Sequence, residues 1–234
     1  MTRRPEPLVI IGSGGFGRET AEVVRATNEE RAAISGRNRW DVLGFLDDEP
    51  SRWGTVVSGV PVLGGIDRLA EMPATKVVVC TGHPGDYTSK HRIVRRLGLL
   101  PDRYATIVHP TAVVPTSCQL GEGTVVLAGV VVTVDVTVGA HVGIMPLAVL
   151  THDDLVGDFV TVGAGVRLAG GVAVETGAYL GAGCLVRENL RVGSWSLVGM
   201  GAVVTRSVGD AEVWAGVPAR FVRTVELARE VLTA

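Results

Sequence analysis

Two short stretches carry the residue types that chemistry needs. The first is L-T-H-D-D-L-V-G-D, where His152 is followed directly by Asp153. An imidazole titrates near neutral pH, so a histidine beside a carboxylate has the make-up of a general base. A lone histidine on a turn is by default a solvated surface group, and its place in the fold must decide. The second stretch is G-S-G-G-F-G, with Gly12, Gly14 and Gly17 in G-x-G-x-x-G spacing. Leu8 to Ile11 before it reads as a buried strand, and Arg18 to Ala26 after it as a helix. In that setting bare amides and a helix N-terminus face a phosphate. The bland alternative is a glycine turn that only lets helix and strand pack. A second expected strand, Asp41 to Leu46, runs into Asp47 and Asp48, where carboxylates can accept hydrogen bonds from a ribose.

The glycine motif needs a small parallel α/β unit around it. Thr27 to Arg39 is polar and reads as a loop or frayed helix end. Lys76 to Thr81 reads as another strand, Gly82 opens a loop, and a basic helix follows from about Tyr87 to Leu97. Fewer βαβ units fit before Val108 than a full dinucleotide fold requires, so a mononucleotide-type ligand is favoured over a redox dinucleotide.

The histidine needs a different support. Every sixth residue from Val108 to Val204 is Val, Leu or Ile, without a slip in register. Neither a helix nor a strand alternation has that period; a parallel β-helix does. Four residues after the aliphatic the residue is usually small or β-branched, such as Ala112, Cys118, Thr124 or Val142. Glycine is frequent one and three residues after it, at positions that need positive φ or close backbone approach. His152 lies two residues after Leu150, on a turn or rim. Asp154 falls in the small inward column, where a carboxylate is costly without partners; a local polar network near His152 is expected. His141 reads as a solvated turn residue, His109 as structural at the β-helix entrance. His83 and His91 flank the last strand–helix crossing of the first domain, and His83 is placed to touch a ligand through the Gly82 loop.

Bulk properties narrow the function classes. The chain has 234 residues, 47% hydrophobic but only 5% aromatic, so its core is aliphatic. A net charge of −2 argues against a nucleic-acid partner. Three scattered cysteines make no disulfide framework, and Cys118 and Cys184 fall in the inward column. No signal-peptide core or bilayer-spanning run is present, so a cytoplasmic protein without membrane partners is expected.

The hexad pattern resembles the left-handed β-helix acyltransferases of the hexapeptide-repeat superfamily. General crossover rules would give the opposite hand, so the left hand comes from the resemblance. G-S-G-G-F-G, G-F-L-D-D, H-D-x-x-V-G-D-F and the terminal G-V-P-A-R together resemble the NeuD/PglD-like sugar O- and N-acetyltransferases, over about Leu8 to Phe221. The resemblance implies a Rossmann-like nucleotide-sugar domain (1–106) and a left-handed β-helix (107–211); a helical pattern from Phe221 to Leu232 adds a C-terminal loop and helix (212–234). It implies a homotrimer with acetyl-CoA between neighbouring subunits and no metal. It implies His152 as general base with Asp153 raising its basicity. The Gly170 amide, one coil up, would hold the thioester carbonyl, and Thr161, Ala182 and Met200 would contact acetyl-CoA. Gly14, Gly15, Phe16, Asp47, Asp48 and Gly82 would bind the nucleotide sugar. Thr161 stands where a well-studied type of member has a second histidine, and Met145 where some have a polar residue near the sugar. The activity implied is acetyl transfer to an amino group of a nucleotide-linked sugar, with O-acetylation of a sugar or sialic acid as the alternative. A zinc hydratase would need three converging histidines, which the positions of His109, His141 and His152 do not suit. A nicotinamide oxidoreductase would leave the β-helix unexplained, and a non-catalytic scaffold would bind no acetyl-CoA.

Overall fold

A computed structural model describes residues 4–226. The first part is a five-stranded sheet in the order β3-β4-β2-β1-β5: β1 (Glu6–Ile11), β2 (Trp40–Leu46), β3 (Val56–Val57), β4 (Val60–Gly64) and β5 (Lys76–Val79). All pairings are parallel except β3 with β4, a hairpin closed by Ser58 and Gly59 at positive φ. Helix α1 (Gly15–Ser35) follows the glycine turn, and α2 (Ser89–Leu97) follows the Gly82 loop. Helix α1 therefore runs through most of the polar stretch expected to be a loop or a frayed helix end. Its end at Gly36, in the left-handed region, comes where the sequence first offers a residue that stops a helix at little cost.

From Ile107 onward the chain winds into a left-handed β-helix of two-residue strands in three parallel sheets. Thr137 pairs with Leu155 and Thr161 with Tyr179, eighteen residues on in each case, so three hexads make one coil. The aliphatic column points inward: Leu150, Val162, Leu180 and Val198 are all fully buried. The two glycine columns serve separate needs. The one three residues after the aliphatic takes positive φ at every corner from Gly123 to Gly201, whatever the residue there. The one directly after it lets coils approach: a Cβ on Gly157 would lie 2.7 Å from the Thr176 nitrogen of the coil above.

The chain does not close with the expected helix. Arg220–Thr224 is a strand, antiparallel to Glu212–Ala215, and together they extend one β-helix sheet. An amphipathic pattern is compatible with either state, and here the open sheet edge supplies backbone partners that a helix would leave unpaired. The rest of that expected helix, 227–232, lies outside the described residues.

Tyr87, Lys90 and His91 on and beside α2 pack against one edge of the β-helix. The Tyr87 hydroxyl donates to the Trp195 carbonyl at 2.8 Å, and the Lys90 ammonium to the His141 carbonyl at 2.8 Å. The His91 ring meets Phe159 and Trp195 edge-on, and His141 stacks on Phe159 at 5.1 Å between centroids. The expectation that His141 is solvated is thus wrong: it is 5% exposed. Burial, with Lys90 nearby, pushes its pKa down to about 4. Cys80 and Cys184 are buried free thiols, and Cys118 is half-buried.

Candidate active site

On the first domain, all six residues expected to hold a nucleotide sugar line one cleft of about 440 Å³: Gly14, Gly15, Phe16, Asp47, Asp48 and Gly82. The glycines of the motif divide the work. A Cβ on Gly12 would lie 2.8 Å from the Cys80 carbonyl, and one on Gly17 would collide with the Gly12 carbonyl, so these two allow packing. At Gly14 and Gly15 a Cβ would meet only open space. Gly14 caps α1 without any side-chain hydrogen bond to its amides, and the first turn has no acidic residue. That leaves a bare, positive helix end facing the cleft.

The two aspartates are already engaged. Asp47 accepts from the Ser13 amide at 2.8 Å, the Ser13 hydroxyl at 2.5 Å and the Glu49 amide at 3.0 Å. Burial works against its charge, but the Ser13 bonds, the Glu49 amide and Arg52 outweigh it and hold the carboxyl below the usual range. Asp48 accepts from the Ile66 amide at 2.9 Å and from Arg96 at 2.8 Å. Both shape the cleft wall. Arg52, which the sequence reading missed, donates to the Ser13 hydroxyl at 2.9 Å and puts a cation beside the glycine turn. Its signal was weak: an arginine shortly after G-F-L-D-D. His83, expected near a ligand, also lines the cleft. Phe16 leads from the cleft to the β-helix, where it packs in one cluster with Met145 and lies against Gly143.

On the β-helix, His152 sits on an exposed corner with 63% of its side chain accessible. Its Nδ1 is 2.8 Å from Asp153 Oδ2. An ionised carboxylate can only accept, so Nδ1 carries the proton and Nε2 presents its lone pair. Asp153 occupies the positive-φ position of the corner, at φ 63°. Gly170 is one coil up. The Gly171 amide donates to the His152 carbonyl at 2.9 Å, and the imidazole lies so close to Gly170 that a Cβ there would overlap the ring. Asp154 is fully buried and, as expected, partnered, in this case by backbone amides.

Ala182 and Met200 stand eighteen residues apart on another edge, two residues after Leu180 and Val198, and Thr161 is in the sheet that runs into that edge through Leu180 and Val198. One chain therefore joins His152, Asp153 and Gly170 but does not bring Thr161, Ala182 and Met200 to them. Among the described residues no group of three or more His, Cys, Asp or Glu is arranged to hold a metal ion, and no helix is long and apolar enough to cross a membrane.

A family model described as the PglD N-terminal domain matches residues 7–97. The GDP-perosamine N-acetyltransferase of Escherichia coli is 29% identical over 181 residues, 77% of this chain and 78% of that protein. The crystal structure of PerB from Caulobacter crescentus, in complex with CoA and GDP-perosamine, is 32% identical with a TM-score of 0.78, covering 93% of this chain and 97% of that one. The chain is a PglD-like acetyltransferase of the hexapeptide-repeat family. The acetyltransferase domain of PglB from Neisseria gonorrhoeae, solved with acetyl coenzyme A, aligns with a TM-score of 0.76 at 27% identity over 93% of this chain and all (100%) of that one. Among the readings weighed on sequence, these findings favour the sugar N-acetyltransferase. The acetyltransferase carries the glycine-turn cleft and the His152 corner on one chain.

Proposed function

We propose that this protein transfers the acetyl group of acetyl-CoA to the amine of a GDP-linked amino sugar of the perosamine type. The observation that carries this reading is His152, bonded to Asp153 on one side and pressed against the Gly170 backbone on the other. The neutral amine attacks the thioester carbonyl and forms the C–N bond. Nε2 of His152 takes the proton that the amine loses, while Asp153 holds Nδ1–H and stabilises the imidazolium. The Gly170 amide donates to the developing oxyanion, a type of contact worth about 3–4 kcal/mol where studied. Collapse breaks the C–S bond, and the departing sulfur takes the proton back from His152 to leave as CoA thiol.

In this reading residues 1–106 bind the nucleotide through Gly14, Gly15, Phe16, Asp47, Asp48 and Gly82, 107–211 form the transfer groove, and the segment from 212 caps the end of the β-helix. The groove lies between subunits of a homotrimer: Thr161, Ala182 and Met200 of one chain face acetyl-CoA beside His152 and Gly170 of the next. Their separation within one chain supports this, since a closed ring is a common way to complete a split site. The enzyme works in the cytoplasm and needs no metal.

The test is CoA release with acetyl-CoA and GDP-perosamine, run beside UDP- and dTDP-linked amino sugars and a hydroxy sugar. Turnover confined to amino sugars, fastest with the GDP-linked one, is expected. Faster turnover of the hydroxy sugar would replace this reading with O-acetylation.

A further inference from the structure

Asp154 is fully buried, with Val136, Val142, Ala148, Val160 and Val166 as its neighbours along the inward column. Its two oxygens grip two coils. Oδ2 accepts from the Thr151 amide at 2.8 Å, one residue before His152, and Oδ1 accepts from the Val172 amide at 2.8 Å, two residues after Gly170.

Both bonds replace what the repeat does elsewhere. The amides of Gly157 and Ala169, equivalent to that of Thr151, donate across the ladder to the Val174 and Val186 carbonyls at 2.8 and 3.0 Å. At Thr151 the amide turns to Asp154, and the hydroxyl instead reaches the Leu168 carbonyl at 3.0 Å. The amides of Val166, Ala178 and Cys184, equivalent to that of Val172, close their own turns on the Gly163, Glu175 and Gly181 carbonyls at 3.1–3.2 Å. The strand register continues undisturbed, with Leu155 facing Ala173. The rerouting is therefore confined to the two corners that carry His152 and Gly170. Burial pushes the Asp154 pKa up to about 6, while the amides of Val172 and Thr151 restrain the rise, so a carboxylate is present at neutral pH.

We infer that Asp154 is a positioning residue for acetyl transfer: it sets the height and tilt of the His152 corner relative to the Gly170 amide. A residue serving stability alone would be better replaced by the valine common in its column, since a buried charge is costly even when bonded. The inference rests on the reading of His152 as the base.

Asp154→Val restores the common column residue and removes the grip on both amides. The expected result is an unchanged or raised Tm, an unchanged KM for the nucleotide sugar, and kcat lower by about 10- to 100-fold, the scale of a sub-ångström to ångström misplacement. Asp154→Asn, nearly the same size but able to accept at one oxygen only, is expected to lose less kcat. It carries the test if the valine variant does not fold. Thr124 is the control. Its hydroxyl accepts from the Val142 amide at 3.0 Å and donates to the Gly139 carbonyl at 2.9 Å, a similar grip on a different edge. Thr124→Val should leave kcat unchanged. Wild-type kcat in both Asp154 variants, with His152→Ala inactive, would overturn this inference alone; an active His152→Ala would overturn the reading beneath it.

Discussion

Two edges of the β-helix are built from the same turn and do opposite things. Each turn places one residue at positive φ. On one edge that position holds His141, Phe159 and Trp195, with φ of 56°, 61° and 55°. On the other it holds Asp135, Asp153 and Asn189, with φ of 54°, 63° and 56°. Aspartate, asparagine and histidine tolerate this region comparatively well, whereas phenylalanine and tryptophan do not. The aromatic edge is covered by Tyr87, Lys90 and His91, and its strain is offset by ring contacts and burial. The polar edge is open and holds His152. The two histidines show the consequence. His141 is buried, pushed down to about 4 and too weak a base for chemistry at neutral pH. His152 is exposed and bonded to a carboxylate. A repeating backbone offers equivalent corners, and side-chain choice decides which one docks a domain and which one stays open to solvent.

The sharpest way to break this contrast is to disable one edge at a time. His152→Ala should lower kcat by about 10²–10⁴-fold, the range for loss of a general base, with Tm preserved. Gly170→Ala should approach the lower end of that range, because its Cβ would displace the imidazole. Steady-state CoA release measures both. On the docking edge the effect should be on stability: Trp195, 7% exposed, becomes a cavity in Trp195→Ala at a cost of about 3–5 kcal/mol by urea unfolding. If Trp195→Ala were to match His152→Ala in kcat at full stability, the division of labour between the edges would be wrong.

Acid should separate the edges as well. The folded-state pKa of His141 lies near 4, below the unfolded value of about 6.5. The unfolded chain therefore binds more protons between those limits, and stability falls as pH drops through that window, by up to about 1.4 kcal/mol per pH unit for one group. Burial, with Arg95 and Arg92, lowers the His91 pKa too, which adds to the same decline. Asp154 acts in the opposite sense, because its raised pKa makes the folded chain take up protons first below about 6. His141→Asn, a residue suited to positive φ, should flatten the decline of Tm between about pH 6.5 and 5. An unchanged slope would show that His141 is not what acid titrates at the dock.

Much of this was legible in the residues. The unbroken hexad fixes the coil, the glycine columns mark its corners, and G-S-G-G-F-G and H-D mark the cleft and the open corner. The docking edge was missed although its signal was present. His141, Phe159 and Trp195 occupy the column in which glycine is commonest, at separations of 18 and 36, which put them on one edge. A large ring where glycine belongs indicates a contact that outweighs strain. The β3–β4 hairpin likewise had a Ser-Gly turn, between Val56-Val57 and Val60-Pro61-Val62. The closing strand, Arg220–Thr224, was not legible, because it depends on an edge provided by a distant part of the chain. The partners of Asp154 were only half legible. Its burial followed from the column, but the two amides it binds depend on how one coil stacks on the next.

The smallest expected effect tests whether the corner strain is real. Replacing a left-handed residue by glycine removes about 1–2 kcal/mol of steric cost at most and adds about 0.5–1 kcal/mol of chain entropy cost. Leu147, at φ 62° and 66% exposed, loses little packing on such a change, so Leu147→Gly should stabilise by about 0.5 kcal/mol. Asp153→Gly should gain no more than that, because aspartate is already tolerant, while kcat falls as the imidazole loses its carboxylate. Phe159→Gly should reverse the sign: the backbone gain is the same, but the rings of His91 and His141 lose their partner at a cost of several times as much. Urea unfolding of the three variants orders them. If Phe159→Gly were as stable as Leu147→Gly, the aromatic edge would not be holding the first domain, and its strain would need another cause.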